Sequence, residues 1–314
     1  MKKSDFISFI VPVHNSADTL EKCLESIEDV GYPQESVEII IVDNGSKDKT
    51  LDIASKFTDK IFVDQTATIA GLRNIGSKKA NGDFIIFIDS DCVLSQNWVK
   101  SALEYFNDDT VGMVGARTSL VPADATWVER TWKLHLDRQR HKREVSWIIS
   151  RAIIMRRDVF LEMGGFDETL ITCEDVEFGY RMREKYKIIA DENLAPMHLK
   201  GEKTLGEFFK KERWRGKHSM KVGMKHLKQE KKEILSMILL FYYLFMPIFL
   251  LTAVFLTIIT KNTVYIWSIL VAIVAPIAFL SFDTCRRTSN YRNIGRLFIL
   301  YGTYILVRIW AIFR

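Results

Sequence analysis

The residues of this chain that are best suited to chemistry are carboxylates that directly follow short apolar runs. Asp89 and Asp91 stand two residues apart after the run Phe84–Ile88. Their mutual repulsion would most simply be relieved by a hard divalent cation with oxygen ligands, and such a cation would in turn hold a diphosphate. A D-x-D pair is common by chance, so its weight depends on the motifs that accompany it.

A third carboxylate, Asp43, ends the run Val37–Val42 and is followed two residues later by Gly45, which permits a tight turn. Asp43 could accept hydrogen bonds from a base or a sugar. The alternative is an Asx-type turn in which Ser46 or Asp48 caps the next helix, and Asp43 taken alone favours this alternative.

The segments that must position these carboxylates alternate between two patterns of apolar residues, one typical of strands and one typical of helices. Short runs rich in β-branched residues and Phe predict strands at Phe6–Val13, Val37–Val42, Phe84–Ile88, Val111–Ala116, Trp147–Met155 and Tyr186–Ala190. Apolar residues at three- and four-residue spacing predict helices at Ala17–Val30, Lys49–Phe57, Ala70–Ala80 and Ser95–Phe106. This alternation indicates an α/β fold with a parallel or mixed sheet, in which ligands bind beyond the carboxyl ends of the strands.

The order of several motifs resembles glycosyltransferase family 2, the inverting GT-A enzymes that use nucleotide-sugar donors. The motifs are IVPVHN, IIVDNGSKDKT, AGLRNIGSKKANGDFIIFIDSD, MGGFDE, ITCEDVEFGYRM and the RWRG that follows His198. The resemblance covers roughly residues 6–220. It implies a GT-A catalytic domain, with a Rossmann-like mixed sheet, over residues 1–203.

The resemblance also implies a donor site with a divalent cation, Mg²⁺ or Mn²⁺. The residues implied to bind the donor are Pro12, Asn15, Asp43, Arg73, Asp89 and Asp91. Among them, Asp43 would face the base and Arg73 would reach the nucleotide across the same pocket. Asp89 would contact the ribose and Asp91 the metal, with Asp89 and His198 as further candidate metal ligands.

On the acceptor side, the family's general base falls on Asp175, and Glu174 is its less favoured neighbour. Acidic residues at a helix start are also stabilised by the helix dipole, so simple capping stays an alternative for Glu174. The loop with Gly165 and Asp167 would approach the sugars.

Arg213 and Trp214 resemble the end of the Q-x-x-R-W motif of processive members, where they would meet diphosphate and acceptor. Lys210 stands at the glutamine position of that motif. This departure favours the transfer of one sugar per binding event over polymer synthesis.

The C-terminal part of the chain is apolar enough for a membrane. Residues 234–260 and 262–282 carry no charge, and each stretch is long enough to cross a hydrocarbon core of ~30 Å. A shorter stretch, 297–313, contains Arg308 and either spans or lies in the interface. The sequence therefore predicts a basic interfacial segment at 204–233 and a membrane domain at 234–314, the alternative for the two long runs being buried core helices.

Charge is segregated along the chain. Residues 1–199 have a net charge of −8, whereas residues 200–233 have +7 and residues 283–314 have +5. An acidic N-terminal part argues against nucleic-acid binding, and basic flanks on both sides of the two runs predict a cytoplasmic catalytic domain on a multi-pass membrane protein. The four cysteines are widely spaced, which indicates neither a zinc site nor a disulfide scaffold and suits a reducing compartment.

The sequence thus predicts a metal-dependent, non-processive inverting glycosyltransferase. Its donor would be a UDP-sugar, with GDP- and dTDP-sugars as alternatives, and its acceptor a hydroxyl of a lipid-linked sugar or glycolipid. The alternatives are transfer to a polyprenyl phosphate, a processive polysaccharide synthase, and a membrane scaffold that retains only nucleotide-sugar binding.

Overall fold

The structure is a computed structural model that describes residues 5–138, 143–226 and 231–312, without the side chains of 220, 226, 231–241, 311 and 312. The chain divides into two compact units. The first is Met1–Asp124 with Gln139–Gly201, and the second is Ala125–Arg138 with Glu202–Arg314. Residues 125–138, which lie within the predicted catalytic domain, are therefore grouped with the C-terminal helices.

The elements are numbered in chain order. The strands are β1 Ile7–Val13, β2 Val37–Asp43, β3 Ile61–Val63, β4 Phe84–Ile88, β5 Cys92–Val93, β6 Val111–Gly115, β7 Ala152–Arg156, β8 Lys187–Ala190 and β9 Met197–His198. The α-helices are α1 Leu20–Glu28, α2 Thr50–Ala54, α3 Ile69–Lys79, α4 Trp98–Leu103, α5 Trp127–Asp137, α6 Arg157–Glu162, α7 Glu174–Met182, α8 Leu205–Arg215, α9 Ser219–His226, α10 Lys231–Thr260, α11 Val264–Thr288 and α12 Ile294–Ile312.

The first unit is built on a mixed sheet in the order β3-β2-β1-β4-β7-β6-β8. Strand β1 pairs in parallel with both β2 and β4, and β7 is antiparallel to β4 and β6. The register of β1 and β2 sets Val13 opposite Asp43, so the loops that follow the two strands start side by side. The predicted α/β fold is confirmed.

The sheet is covered on both faces because its central strands are apolar at nearly every position. On one face Phe9 and Val11 pack with Trp98 of α4, and on the other Ile10 and Phe87 belong to a second apolar cluster. Burial of both faces removes the alternation of polar and apolar residues that marks a one-sided sheet.

The strand predicted at Trp147–Met155 begins only at Ala152 and continues to Arg156. The amide of Ser150 donates to the Asp175 carboxylate, so this stretch leads into the site before the strand begins. The prediction also missed helix α5 and the short strands β3, β5 and β9.

The second unit contains two helical stretches that are long and apolar enough to cross a membrane, Tyr242–Thr260 and Val264–Thr288. Most of their apolar side chains are exposed; Leu251 is 71% and Phe279 67% exposed. Such exposure is typical of lipid-facing helices rather than of core helices. The second stretch ends six residues beyond the predicted span 262–282, and α12 covers the shorter apolar run at 297–313 as far as Ile312.

Candidate active site

The two aspartates of the D-x-D pair lie just after β4. The short strand β5, which follows them, pairs with β9 so that Cys92 stands opposite His198. The Leu199 amide donates to the Asp91 carbonyl over 2.8 Å, which extends this pairing by one residue. The pairing brings the His198 Nε2 to 3.3 Å from an Asp91 carboxylate oxygen.

Asp91 and His198 are side chains that could together hold a divalent cation, because a carboxylate and an imidazole are both suitable ligands for Mn²⁺. Asp89 is engaged differently, since its Oδ1 accepts a hydrogen bond from Arg73 over 2.7 Å. Within the described residues, no group of three His, Cys, Asp or Glu side chains is arranged to hold a metal. Ligands from a bound substrate and from water would therefore have to complete the coordination.

Arg73 of α3 links the D-x-D pair to the acidic start of α7. Its guanidinium is buried, and its second ion pair joins NH1 to Glu174 Oε1 over 2.7 Å. The resemblance implies that Arg73 reaches the nucleotide, but in the structure the guanidinium is occupied by two carboxylates. Burial alone would lower the pKa of Arg73, yet Asp89, Glu174 and Asp175 together raise it, so the side chain stays charged.

The two neighbouring acids of α7 have different surroundings. Burial, reinforced by the charge of Asp175, raises the pKa of Glu174 to about 7, and Arg73 opposes this shift only in part. The Asp175 carboxylate accepts hydrogen bonds from the amides of Ser150, over 3.2 Å, and Val176, over 2.8 Å. Burial also raises the pKa of Asp175, against the lowering effect of Arg73. In the part of the chain that the structure describes, Glu174 thus has a direct ion pair to Arg73 and Asp175 has none.

Hydrogen bonds join the loop after β1 to the loop after β2. The almost fully buried Asp43 accepts hydrogen bonds from the amides of Gly45, over 2.8 Å, and Ser46, over 2.9 Å, which is the Asx-type turn that Asp43 alone favours. Asn15 has a φ of +48°. Its backbone amide donates a hydrogen bond to Ser46 Oγ, and its side-chain Oδ1 accepts one from the backbone amide of Lys47. Pro12 is buried within β1.

The same edge of the sheet connects to the D-x-D segment. Ser90 stands between Asp89 and Asp91 in the sequence, and its Oγ lies 2.9 Å from Ser16 Oγ. The implied donor residues after β1, β2 and β4 therefore belong to one cluster of loops.

The predicted acceptor-side loop follows α6, and side chains of α3 and α7 hydrogen-bond to its backbone. Gly164 and Gly165 have φ values of +77° and +70°, and Arg181 of α7 donates to the Gly165 carbonyl over 2.7 Å. Asn74 accepts the Phe166 amide and donates to the Phe166 carbonyl. Asp167 accepts the Thr169 amide and hydroxyl, closing a further local turn.

Sequence reasoning missed the part played by Asn74, which directly follows Arg73 in the AGLRN motif. In the same helix as the two neighbouring acids, the structure also pairs Arg181 with Glu177 over 2.8 Å. Glu177 and Arg181 are four residues apart, a spacing at which helical side chains meet.

Arg213 and Trp214 lie on α8 in the second unit. The Arg213 guanidinium stands over the Trp310 ring at 5.1 Å, and Lys211 stands over the Trp214 ring at 5.5 Å. Trp214 is 40% exposed. The pair is thus part of a basic and aromatic surface on the helical unit.

Comparison with known proteins identifies the family. The family model described as glycosyl transferase family 2 matches residues 8–164, half of the chain. The glycosyltransferase AglE of Haloferax volcanii is 28% identical over 230 residues, covering 70% of this chain and 74% of AglE. The pre-mycofactocin glycosyltransferase of Mycobacterium tuberculosis is 29% identical over 190 residues, which is 57% of this chain but only 39% of the relative.

Solved structures show the same fold. The mannosyltransferase PcManGT from Pyrobaculum calidifontis, in complex with GDP-Man and Mn²⁺, has a TM-score of 0.63 at 18% identity, covering 99% of this chain and 87% of its own. Residues 1–349 of TarS from S. aureus, in complex with UDP-GlcNAc, have a TM-score of 0.52 at 15% identity, covering 98% of this chain and 90% of that one. With the mixed sheet and its carboxylate-rich edge, these matches establish that the chain is a glycosyltransferase of family 2 with the GT-A fold.

Proposed function

We propose that the protein is a non-processive inverting glycosyltransferase that moves a sugar from a nucleotide-diphosphate donor to a hydroxyl of a membrane-borne acceptor. The observation that carries the proposal is the unequal pair at the start of α7. The pKa of both acids is raised, but among the described residues Arg73 forms an ion pair with Glu174, whereas the Asp175 carboxylate accepts hydrogen bonds from backbone amides.

Asp175 is suited to the role of general base. An acceptor hydroxyl is a poor nucleophile at neutral pH, and a positioned carboxylate that takes its proton during attack contributes ~10²–10⁴-fold. A raised pKa makes Asp175 a stronger base than an ordinary aspartate, which has a pKa of about 3.9. The hydroxyl then attacks the anomeric carbon from the face opposite the diphosphate, so the configuration at that carbon inverts.

Asp91 and His198 would hold the divalent cation, and Asp89 and Arg73 would shape the floor of the donor site. When bound, the cation supplies positive charge that neutralises the departing diphosphate. The fold is shared with proteins solved with UDP-GlcNAc and with GDP-Man, which supports a nucleotide-sugar donor. We favour a UDP-sugar, with GDP- and dTDP-sugars as the other candidates.

The two exposed apolar helices support a membrane-borne acceptor. One relative, from Methanococcus voltae, is named as a transferase that acts on a dolichyl N-acetylglucosaminyl phosphate; it is 34% identical over 109 residues, covering 32% of this chain and 34% of the relative. A lipid-linked sugar acceptor agrees with that name. Basic flanks before α10 and after α11 favour a multi-pass anchor with the catalytic unit in the cytoplasm.

The test replaces Asp175 by Asn in the 314-residue chain in detergent. We expect transfer to a hydroxyl acceptor to fall by ~10²–10⁴-fold while donor binding persists, because the amide cannot take a proton. Donor binding is read from thermal stabilisation by UDP-, GDP- and dTDP-sugars, with and without Mn²⁺. Glu168→Gln is the control variant: it makes the same carboxylate-to-amide change at a residue that accepts a hydrogen bond from Asn74 and has no assigned part in proton transfer.

The outcomes separate the alternatives. Near-normal turnover of the Asp175→Asn variant with polyprenyl phosphate would indicate a phosphate acceptor, which needs no general base. A ladder of products would indicate a processive synthase. Failure of every donor to stabilise the protein would refute the donor assignment and leave a scaffold role.

A further inference from the structure

The third apolar helix, α12, carries a charge that is neutralised within the second unit. Arg308 NH2 lies 2.9 Å from the Glu212 carboxylate of α8, and Glu212 also pairs with Arg215 over 2.6 Å. Glu212 is 1% exposed. The pairing fixes this part of α12 beside α8.

Helix α8 contacts α12 at several positions from the middle of α12 onwards. Near the middle of α12, Leu300 packs in one apolar cluster with Phe208. Two turns later Arg308 meets Glu212, and the Trp310 ring centroid lies 5.6 Å from that of Phe209. These three positions of α12, spread over residues 300–310, therefore all meet one turn of α8, residues 208–212.

The exposed side of α8 is unsuited to hydrocarbon. It carries Glu207, Lys210, Lys211 and Arg213, all exposed. Charged side chains are expensive at the centre of a bilayer, and those that occur there almost always face a protein interior or a water-filled cavity. Since α8 must stay at or above the headgroups, residues 300–310 of α12 must stay there with it.

The rest of α12 is too short to cross alone. Residues 294–299 form less than two turns, about 9 Å of helix, against a hydrocarbon core of ~30 Å. The face of α12 that carries Ile299, Leu306 and Trp310 is nevertheless exposed and apolar. Such a face suits a helix that lies at the boundary of headgroups and acyl chains.

We propose that α12 lies in the membrane interface and does not span, so that, of the helices described here, α10 and α11 alone cross the membrane as a hairpin. The occupant of its exposed face is the acyl boundary of the leaflet on the side of the basic flanks of α10 and α11. This inference rests on the membrane anchor proposed above. It requires that residues beyond α12 and the catalytic unit lie on the same side of the membrane.

The first test labels single cysteines with a membrane-impermeant maleimide in sealed proteoliposomes. Three positions are compared in a Cys173→Ala background, since Cys23, Cys92 and Cys285 are buried. They are Lys22→Cys, Asn262→Cys and a cysteine added after residue 314. We expect the added cysteine to label with Lys22→Cys, and Asn262→Cys to label only from the opposite side.

Each other outcome overturns a different statement. If the added cysteine labels with Asn262→Cys, α12 spans the membrane and the inference is wrong while the anchor stands. If all three positions label from one side, the hairpin does not cross. The proposed anchor then fails, and the interfacial placement of α12 fails with it.

The second test measures depth with nitroxide labels in lipid nanodiscs. Leu306→Cys of α12 is compared with Phe255→Cys of α10, because both native side chains are more than half exposed. We expect collisions with a polar nickel relaxant to be several-fold more frequent at position 306. Equal, low collision rates at the two positions would place α12 in the hydrocarbon and refute the proposal.

Discussion

At the scale of single residues, the buried guanidinium of Arg73 supplies positive charge that compensates the carboxylates of the site. It joins a carboxylate after β4 to a carboxylate at the start of α7, each over 2.7 Å. Three acids, Asp89, Glu174 and Asp175, act on its pKa, so their mutual repulsion depends on this one cation.

Replacing Arg73 by Met should therefore destabilise the protein strongly. Removing one partner of a buried ion pair costs about 3–5 kcal/mol, because the other charge is left buried without compensation. The measurement is urea unfolding in detergent micelles at a pH above 7, where Glu174 is ionised. The double variant Arg73→Met, Glu174→Gln should be more stable than Arg73→Met alone, and a double variant that is equally unstable would show that the loss comes from packing.

The raised pKa of Glu174 predicts how stability depends on pH. The folded state holds the Glu174 proton up to about pH 7, whereas the unfolded state releases it near 4.5. Protonation thus stabilises the fold, fully below 4.5 and progressively less as the pH rises to 7. The thermal midpoint of the wild type should fall relative to that of Glu174→Gln across this window. Parallel curves would refute the raised pKa.

The Asp91 and His198 pair predicts a metal requirement. A chelator should abolish transfer, and excess Mn²⁺ should restore it. His198→Gln should need a higher Mn²⁺ concentration for half-maximal rate, since one of two protein ligands is lost. Asn44→Ala, a change in the neighbouring loop, should leave that concentration unaltered. An unchanged metal requirement in His198→Gln would remove His198 from the site.

The sequence could predict that Asp89, Asp91 and the start of α7 belong to one site, because motif order identifies the strand ends that meet at one sheet edge. It could not predict that Arg73 turns inward. That orientation depends on Glu174, 101 residues away, which only the tertiary fold brings near. For Asp43, in contrast, local turn chemistry correctly favoured the Asx-type turn.

At the scale of elements, the backbone conformation of the turn after α6 limits which residues can occupy it. Gly164 and Gly165 both have positive φ, where an L side chain is strained. They differ in surroundings, since a Cβ on Gly165 would lie 2.7 Å from Asn74 Oδ1 and a Cβ on Gly164 would meet nothing within 4 Å. The two positions therefore form a matched pair.

Gly165→Ala should impair transfer more than Gly164→Ala. Both variants carry a left-handed penalty of roughly 1–2 kcal/mol, but only the first must displace Asn74, which holds the backbone of Phe166. Steady-state kinetics should show the difference mainly in acceptor KM. Equal effects would mean that the turn does not shape the acceptor side.

Element prediction succeeded where a strand is long and buried and failed where it is short. Strands β1, β2 and β4 are almost entirely apolar, so their composition identifies them. Strands β5 and β9 have two residues each, too few for any periodicity, although their pairing positions His198. Helix α5 begins with a capping box, Thr126 with Glu129, a signal that could have revealed it.

At the scale of the whole molecule, charge and apolar surface are divided between regions. The N-terminal 199 residues are acidic, whereas the segment before α10 is basic and the helices that follow are apolar and exposed. The net charge of +5 is therefore the sum of an acidic N-terminal region and basic C-terminal regions. A basic segment beside apolar helices is attracted to anionic lipid headgroups, which supports an acceptor that is delivered by the membrane.

A membrane-delivered acceptor should be used better as its lipid chain lengthens. Each buried methylene contributes ~0.8 kcal/mol to partitioning, so a longer chain raises the acceptor concentration at the enzyme without changing the reacting hydroxyl. For the enzyme in proteoliposomes, we expect acceptor KM to fall at least ~10-fold from methyl to decyl glycosides of the accepted sugar. The kcat and the donor KM should stay constant, since neither depends on partitioning. Equal KM values across the series would indicate a water-soluble acceptor, and the exposed helices would then need another role.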